Sequence, residues 1–73
     1  SLEEASSVFF DEYALEFFDP DHSINENRFL MLGLSFRLRL LMVVYCIREK
    51  GKQVRIISAR KATNKERKSY KRE

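Results

Sequence analysis

The stretch "RFLMLGLSFRLRLLMVVYCIREKGKQVRIIS", residues 28–58, decides the fold because it contains three consecutive patterns typical of β-strands. In residues 28–36, every second residue from Leu30 to Phe36 is a leucine or a phenylalanine. These side chains lie on one face if the segment is a strand, because a strand has a period of two residues. Residues 39–48 are apolar on both faces, as in a strand that is covered on both sides, and residues 52–58 form a third strand. These runs predict a sheet.

The connections between these strands are less regular in sequence. Gly51 in "EKGK" suits the positive φ of a hairpin turn, whereas "FRLR" offers no such residue, so the first turn is expected to be strained or wide. Gly33 lies inside the first strand, where it marks either a β-bulge or a close backbone approach, and the bulge is the commoner case.

The segments on either side of the sheet predict two helices. Residues 1–10 suit an amphipathic helix that Ser1 caps and in which Glu4 completes a capping box. Its expected apolar stripe consists of Leu2, Ala5, Val8 and Phe9. Thr63 and Glu66 form a second capping box at the start of a polar helix over residues 63–73. A short strand at 13–18 and a loop around Pro20 complete the pattern. We therefore expect an α+β domain over residues 1–73, a small antiparallel sheet flanked by N-terminal and C-terminal helices.

Charge divides the chain into two unequal parts. Residues 1–27 contain eight acids and no Lys or Arg, a net charge of −8, and residues 28–73 contain 14 Lys and Arg and three acids, a net charge of +11. This asymmetry favours a polyanion as partner of the second part, or mutual neutralisation of the two parts within the fold. Cys46 is the only cysteine, so no intrachain disulfide forms, and we expect a buried thiol. Neither a signal peptide nor a membrane-length apolar run is present, which indicates a cytoplasmic protein without membrane contact.

The candidate chemistry is that of phosphodiesters. The sequence has no zinc, calcium or phosphate-loop motif, so neither a metal nor a cofactor is expected. RNA cleavage needs no metal if the 2′-hydroxyl is the nucleophile, but it needs proton-transfer groups and cations around the phosphate. If the third strand runs straight to Lys61, Arg55 and Lys61 share one face and line a groove. Structural alternatives exist for each residue. Arg60 pairs with an acid of the first part or caps helix carbonyls, Arg55 is a solvated strand residue, and Glu66 serves the capping box. Tyr70 docks the last helix, and His22 is a surface residue.

Several ordered segments resemble the BrnT family of bacterial toxins. They are "SLEEASSVF" (1–9), "DPDHSINENRFLMLGLS" (19–35), "RLLMVVY" (39–45) and "SARKAT" (58–63) followed by Glu66 and Tyr70. The resemblance implies a RelE-like toxin fold and a metal-independent ribonuclease that arrests translation. It also implies a BrnA-like antitoxin, binding to operator DNA only through that antitoxin, and a dimer or a heterotetramer with it.

The resemblance also assigns candidate residues. Arg60 and Lys61 are expected to contact the phosphate or the transition state, and His22 and Tyr70 to transfer protons. The expected RNA-binding residues are Arg28 and Arg55, which match family positions, and Lys65, Arg67 and Lys68, which are cations of the predicted last helix.

Two departures from the family pattern are visible. Family members begin earlier, with an aromatic strand and a helix, so we expect this domain to be N-terminally truncated. Leu38 stands where the family typically has glycine in the first hairpin turn. The alternative function is a catalytically inactive or truncated relative that binds only an antitoxin or nucleic acid. A DNA-binding regulator is disfavoured because no helix-turn-helix is visible.

Overall fold

The chain folds into one antiparallel sheet with a short helix at each end of the sequence, as seen in a computed structural model that describes residues 1–22, 26–48 and 50–70. The strands lie in sequence order: β1 (Leu15–Phe18), β2 (Asn27–Leu34), β3 (Leu40–Arg48) and β4 (Gln53–Lys61). The helices are α1 (Leu2–Ser7) and α2 (Asn64–Ser69), and 3₁₀ turns occupy Val8–Phe10 and Pro20–His22. The α+β class and the flanking helices are confirmed. Across the described residues, no helix has the length and apolar character needed to cross a bilayer.

Strand β3 is the buried centre of the molecule. Its residues alternate between two layers, which we call the α1 face, on which α1 packs, and the α2 face, on which Ala62 and Tyr70 at the two ends of α2 pack. On the α1 face, Leu41 and Val43 pack with Ala5 and Val8, and with Phe9, Met31 and Ile56 at the margin. The α2 face buries Leu32, Leu40 and Met42 beneath Leu15, Leu30, Leu34, Ala62 and Tyr70. The prediction of a strand covered on both sides is confirmed.

Helix α1 differs from its sequence pattern in two respects. Ser1 caps it, since its Oγ accepts the Glu4 N–H at 3.2 Å, but the Glu4 carboxylate binds Ser35 and Arg39 instead of completing a capping box. Of the predicted stripe, Ala5 and Val8 are buried, whereas Leu2 is 69% exposed. Helix α1 is therefore attached through the buried Ala5 and through the Glu4 carboxylate.

Gly33 marks a close approach, so the expectation of a bulge in β2 is wrong. The pairing of β2 with β3 continues through it without a shift. A Cβ at position 33 would lie 2.6 Å from Val8 Cγ1 and 3.1 Å from Ala14 Cβ. The glycine is needed because the chain after α1 passes directly over the sheet there.

The two hairpin turns confirm the predictions made for them. In the first, the Leu38 N–H donates to the Ser35 carbonyl at 2.8 Å, and Leu38 adopts a φ of 60°, a left-handed region that is unfavourable for residues other than glycine. In the second, Lys50 and Gly51 have φ of 57° and 90°. The first turn is thus strained at the position where glycine would fit best.

A β-bulge in β4 overturns the predicted parity of that strand. Val44 pairs with Ser58 and Tyr45 pairs with Ile56, which leaves Ile57 without an opposite residue. The strand does run to Lys61, but the extra residue reverses which side chains share a face. The prediction that Arg55 and Lys61 line one groove is therefore wrong: Arg55 lies on the α2 face and Lys61 on the α1 face.

Helix α2 is attached to the sheet through its C-terminal end. Tyr70 packs against the cluster on the α2 face, and its hydroxyl donates to Asp11 Oδ2 at 2.6 Å. The same Asp11 oxygen accepts the Leu34 N–H at 2.8 Å. This confirms that Tyr70 docks the last helix. The predicted helix extended to residue 73, and its last three residues lie outside the described part.

Candidate functional site

A small cleft lies where β3 begins and β4 ends. It has a volume of about 160 Å³. Its lining, which we call the basic cleft, consists of Ser1, Glu4, Arg39, Leu41, Ala59, Arg60 and Lys61. The pairing of Leu41 with Lys61 and of Met42 with Arg60 brings the two predicted phosphate-binding residues to this edge. Arg60 and Lys61 are consecutive and lie on opposite faces of β4, so they flank the rim of the sheet.

Arg39 and Glu4 form the inner wall of the basic cleft. The Arg39 guanidinium donates to both Glu4 carboxylate oxygens, one bond measuring 2.8 Å from Nε, and Ser35 Oγ donates to the same carboxylate at 2.7 Å. The hydrogen bonds from Arg39 lower the pKa of Glu4 to about 2, with help from Ser35 and against the effect of burial. The Glu4 hydrogen bond likewise raises the pKa of Arg39. This carboxylate is therefore a weak base.

Arg60 is held at the outer rim by Glu66. Its two terminal nitrogens each donate to one Glu66 oxygen at 2.8 Å, a bidentate geometry, and one also donates to the Lys61 carbonyl at 3.3 Å. Glu66 in turn accepts the Thr63 N–H at 2.8 Å, so the predicted capping box of α2 is present. The predicted structural alternative named an acid of residues 1–27 as the partner of Arg60, and that detail is wrong.

The ion pair fixes the protonation of both partners. The hydrogen bonds from Arg60 and then from the Thr63 backbone lower the pKa of Glu66 to about 2. The hydrogen bond with Glu66 raises the pKa of Arg60. Arg60 keeps 53% of its side chain exposed, so the guanidinium is both oriented and open to a ligand. Lys61 is exposed beside it and has no ion-pair partner among the described residues.

A second group of cations lies along the α2 face. Cys46, fully buried as predicted, is opposite Arg28 on β2 and opposite Arg55 on β4, so these residues form one row across the sheet. Two strand spacings separate the two arginines by about 10 Å. Because of the bulge, Arg55 shares this face with Arg60. The cations therefore continue from the row to the outer rim of the basic cleft.

Mutual neutralisation of the two charged parts is real but incomplete. Glu4 binds Arg39, and Glu26 binds Arg48 at 3.2 Å, which raises the pKa of Arg48. The cations of α2 remain at the surface, as exposed side chains of Lys65, Arg67 and Lys68. Together with Arg55, Arg60 and Lys61, these cations leave a basic surface from β4 to α2 that suits a polyanion.

The remaining predicted residues are distributed unevenly. Tyr70 lies on the α2 face with its hydroxyl on Asp11, and the basic cleft is lined without it. The backbone of His22 is in the second 3₁₀ turn, but its side chain lies outside the described part. No group of three or more His, Cys, Asp or Glu in the described ranges is placed to hold a metal ion.

Sequence reasoning missed the two residues of the inner wall. Arg39 belongs to no local motif at the start of the predicted strand 39–48, and the position of Glu4 indicated a capping box. The position of Arg39 could have indicated an anionic partner. Arg39 directly precedes the most apolar strand, and a cation there needs either a buried anion or solvent.

The fold and the site define a small basic α+β protein in which a sheet edge presents cations to a phosphate-sized cleft. Residues 1–66 match the family model described as "Ribonuclease toxin, BrnT, of type II toxin-antitoxin system". The chain therefore belongs to the BrnT family of type II toxin-antitoxin toxins. No curated protein matches the chain.

Proposed function

We propose that this protein is the ribonuclease toxin of its system, with a RelE-like fold, and that it arrests translation in the cytoplasm by metal-independent RNA cleavage. The observation that carries the proposal is the basic cleft, in which Arg39, Arg60 and Lys61 meet at one end of the sheet. Family membership over residues 1–66 supplies the reaction class.

The proposed reaction is attack of a ribose 2′-hydroxyl on the adjacent phosphate. Negative charge develops on the phosphate oxygens as the new P–O bond forms and the 5′-oxygen leaves. Lys61 supplies a mobile ammonium beside the phosphate, and Arg60 supplies a planar guanidinium that Glu66 holds in place. The proposed role of both groups is electrostatic stabilisation of the transition state.

Proton transfer is assigned to His22 and Tyr70 in this proposal. The Tyr70 hydroxyl donates to Asp11 at 2.6 Å, so it must leave that bond before it can donate to a leaving oxygen. His22 follows Pro20 in the loop between β1 and β2. The RNA strand is proposed to follow the basic surface, with Arg28 and Arg55 on the sheet and Lys65, Arg67 and Lys68 on α2 as phosphate contacts.

A binding-only module is the second candidate function. The observation that favours it is that both carboxylates nearest the cations, Glu4 and Glu66, have a pKa of about 2 and are poor proton acceptors. Such a protein would hold RNA through counterion release without cutting it. In either case we propose a BrnA-like antitoxin as partner and contact with operator DNA only through that antitoxin.

The deciding experiment incubates the purified protein with labelled RNA in EDTA. Cleavage is expected for the wild type, and Lys61→Gln should reduce the rate by about 100-fold, as for loss of one transition-state contact. Lys52→Gln is the matched control, because it removes the same charge at the exposed second turn.

The outcomes separate the two candidate functions. Binding that weakens with salt, without product at micromolar protein, would support the binding-only module and overturn the ribonuclease. Equal losses in Lys61→Gln and Lys52→Gln would show that net charge matters and the basic cleft does not. Absence of both binding and cleavage would overturn both functions.

A further inference from the structure

Arg39 directly precedes β3 and lines the basic cleft from the inside. The side chain of Glu4, to which it is bound, is 3% exposed, whereas the side chain of Arg39 is 44% exposed. The pair therefore has a buried end, the carboxylate, and an end that is open to solvent, the guanidinium. A ligand that enters the cleft can reach this guanidinium without breaking the pair.

The two arginines of the basic cleft use different edges of their guanidinium groups. Arg39 binds Glu4 side-on, through Nε and Nη2. Arg60 binds Glu66 end-on, through Nη1 and Nη2, and its Nη1 also donates to the Lys61 carbonyl. Of the five N–H donors of a guanidinium, Arg39 thus uses two and Arg60 uses three within the described residues. The end-on edge, with two parallel N–H groups, is occupied in Arg60 and open in Arg39.

The strand geometry places Arg39 on the same side of the sheet as Lys61. Leu41 pairs with Lys61, and Arg39 lies two residues before Leu41, so the side chains of Arg39 and Lys61 share the α1 face. The contact of Arg39 with Glu4 of α1 agrees with this placement. Diagonal neighbours of this kind lie about 7–8 Å apart, which is within reach of two long side chains. Arg60 approaches the same opening from the other side of the rim.

The basic cleft has the size and the donors that a phosphate group requires. Its volume of about 160 Å³ is equivalent to about five water molecules of ~30 Å³ each, enough for a phosphate group and a few waters. The open edge of Arg39 can donate to two phosphate oxygens at once, as arginine does in bidentate phosphate pairs. Lys61 can donate to a further oxygen from the same face.

We propose that Arg39 is a further catalytic residue, whose open guanidinium edge binds the reacting phosphate together with Lys61. Glu4 holds this guanidinium from behind, so its donors are already aimed at the phosphate before negative charge develops there. The inference rests on the proposed ribonuclease function for its reaction. The contact between Arg39 and phosphate can nevertheless be tested without RNA cleavage.

RNA cleavage in EDTA by two variants tests the catalytic role. The double variant Glu4→Gln/Arg39→Gln removes both charges of the pair, keeps the net charge of the chain and leaves no buried charge unpaired. Its kcat should fall by about 100-fold, with a smaller change in KM. Arg39→Lys keeps a cation beside Glu4 but loses the planar edge, so its kcat should fall by about tenfold. Circular dichroism checks that both variants are folded.

Arg37→Gln is the matched control, because it removes an exposed arginine two residues away that does not line the basic cleft. Its kcat should stay within about twofold of the wild type, since it loses no transition-state contact. A folded double variant with the wild-type kcat would show that Arg39 only neutralises Glu4 and would overturn the proposal. A wild-type kcat in Arg39→Lys, or an equal loss in Arg37→Gln, would also overturn it.

A titration of the wild-type protein with inorganic phosphate separates this inference from the proposed function. The side-chain Nε–H signal of Arg39 in an NMR spectrum should shift and saturate, whereas that of Arg37 should stay in place. A shift of Arg39 in a protein that cleaves no RNA would overturn the ribonuclease and support the phosphate contact. Cleavage by a protein whose Arg39 signal does not respond would overturn the role of Arg39 alone, and absence of both would overturn both proposals.

Discussion

The two helices begin with the same sequence pattern and use it differently. Each has six residues, a hydroxyl residue at its N-cap and a glutamate three positions later that binds an arginine in a strand or directly before one. In α1 the glutamate is Glu4, which is 3% exposed and binds Arg39, whose side chain is 44% exposed. In α2 it is Glu66, whose side chain is 24% exposed and which both closes the capping box and orients Arg60.

The difference follows from the neighbouring residues. Ala5 and Val8 anchor α1 on the core, so the side of the helix that carries Glu4 faces the sheet, and the buried carboxylate needs a cation as partner. Helix α2 has no buried residue, so Glu66 stays at the surface and remains free to cap. The same motif therefore locks one helix into the fold and positions a functional cation on the other.

The largest effect is expected where the interior pair is broken. Glu4→Ala should cost more stability than any other variant described here, because it leaves Ser35 and the partly buried Arg39 without their anion. Chemical denaturation monitored by circular dichroism measures the loss. Glu66→Ala is the comparison, and an equal loss in the two variants would show that burial does not distinguish the helices.

Acid titration sharpens the same contrast. Both glutamates have pKa values lowered from 4.5 to about 2, so the stability that they contribute is complete above about pH 4.5 and is lost as the pH falls toward 2. Melting temperatures between pH 6 and 2 should therefore fall for the wild type. Glu4→Gln and Glu66→Gln should each flatten this dependence, and a slope unchanged in both variants would contradict the assignment.

Packing under α1 should be the next most sensitive feature. Gly33→Ala should cost about 1–3 kcal/mol, because its new Cβ meets Val8 Cγ1. Val8→Ala should cost about 1.5–3 kcal/mol through lost burial. In the double variant the loss should be smaller than the sum by about 1 kcal/mol, since the smaller side chain makes room. Additive losses in a denaturation experiment would place the clash elsewhere.

Relief of the first turn should have an effect of the opposite sign. Leu38→Gly is expected to stabilise the protein by about 1 kcal/mol, because Leu38 has a φ of 60° and its side chain is 75% exposed. The turn carries Ser35, so the gain should strengthen the attachment of α1 and leave α2 unaffected. Hydrogen exchange of the amides in both helices tests this, and equal protection of both would contradict it.

The smallest effect on stability is expected at the surface pair. Glu66→Gln should cost about 1 kcal/mol or less, because it weakens an exposed pair and a cap. If Arg60 acts on RNA as proposed, the rate of cleavage should nevertheless fall by about tenfold or more with little change in KM, because the guanidinium loses its orientation. A change in stability without a change in rate would leave Glu66 a structural residue only.

Much of the architecture could be predicted from the sequence. The alternation in β2, the apolar run of β3 and the hydroxyl caps of both helices are local patterns that the tertiary fold did not override. The face assignment of β4 failed because a bulge at Ile57 depends on pairing with β3, which no pattern within β4 reveals. The failure at Gly33 has the same origin, since only the folded chain places Val8 against it.

The site was predictable in its residue types but not in its arrangement. Arg60 and Lys61 were singled out by the resemblance to the BrnT family, and the structure brings both to the basic cleft. Arg39 was not singled out, because its link to Glu4 joins residues 35 positions apart. Charge content alone could not predict which Lys and Arg side chains would form ion pairs with the acids of residues 1–27.

Asp11 joins three parts of the chain that lie far apart in the sequence. Its carboxylate receives the Leu34 amide and the Tyr70 hydroxyl, which are 23 and 59 residues further along the chain. One side chain therefore holds together the segment after α1, the end of β2 and the segment after α2. Because Tyr70 directly follows the helix whose Glu66 binds Arg60, a residue outside the basic cleft helps to set the position of a cation at its rim.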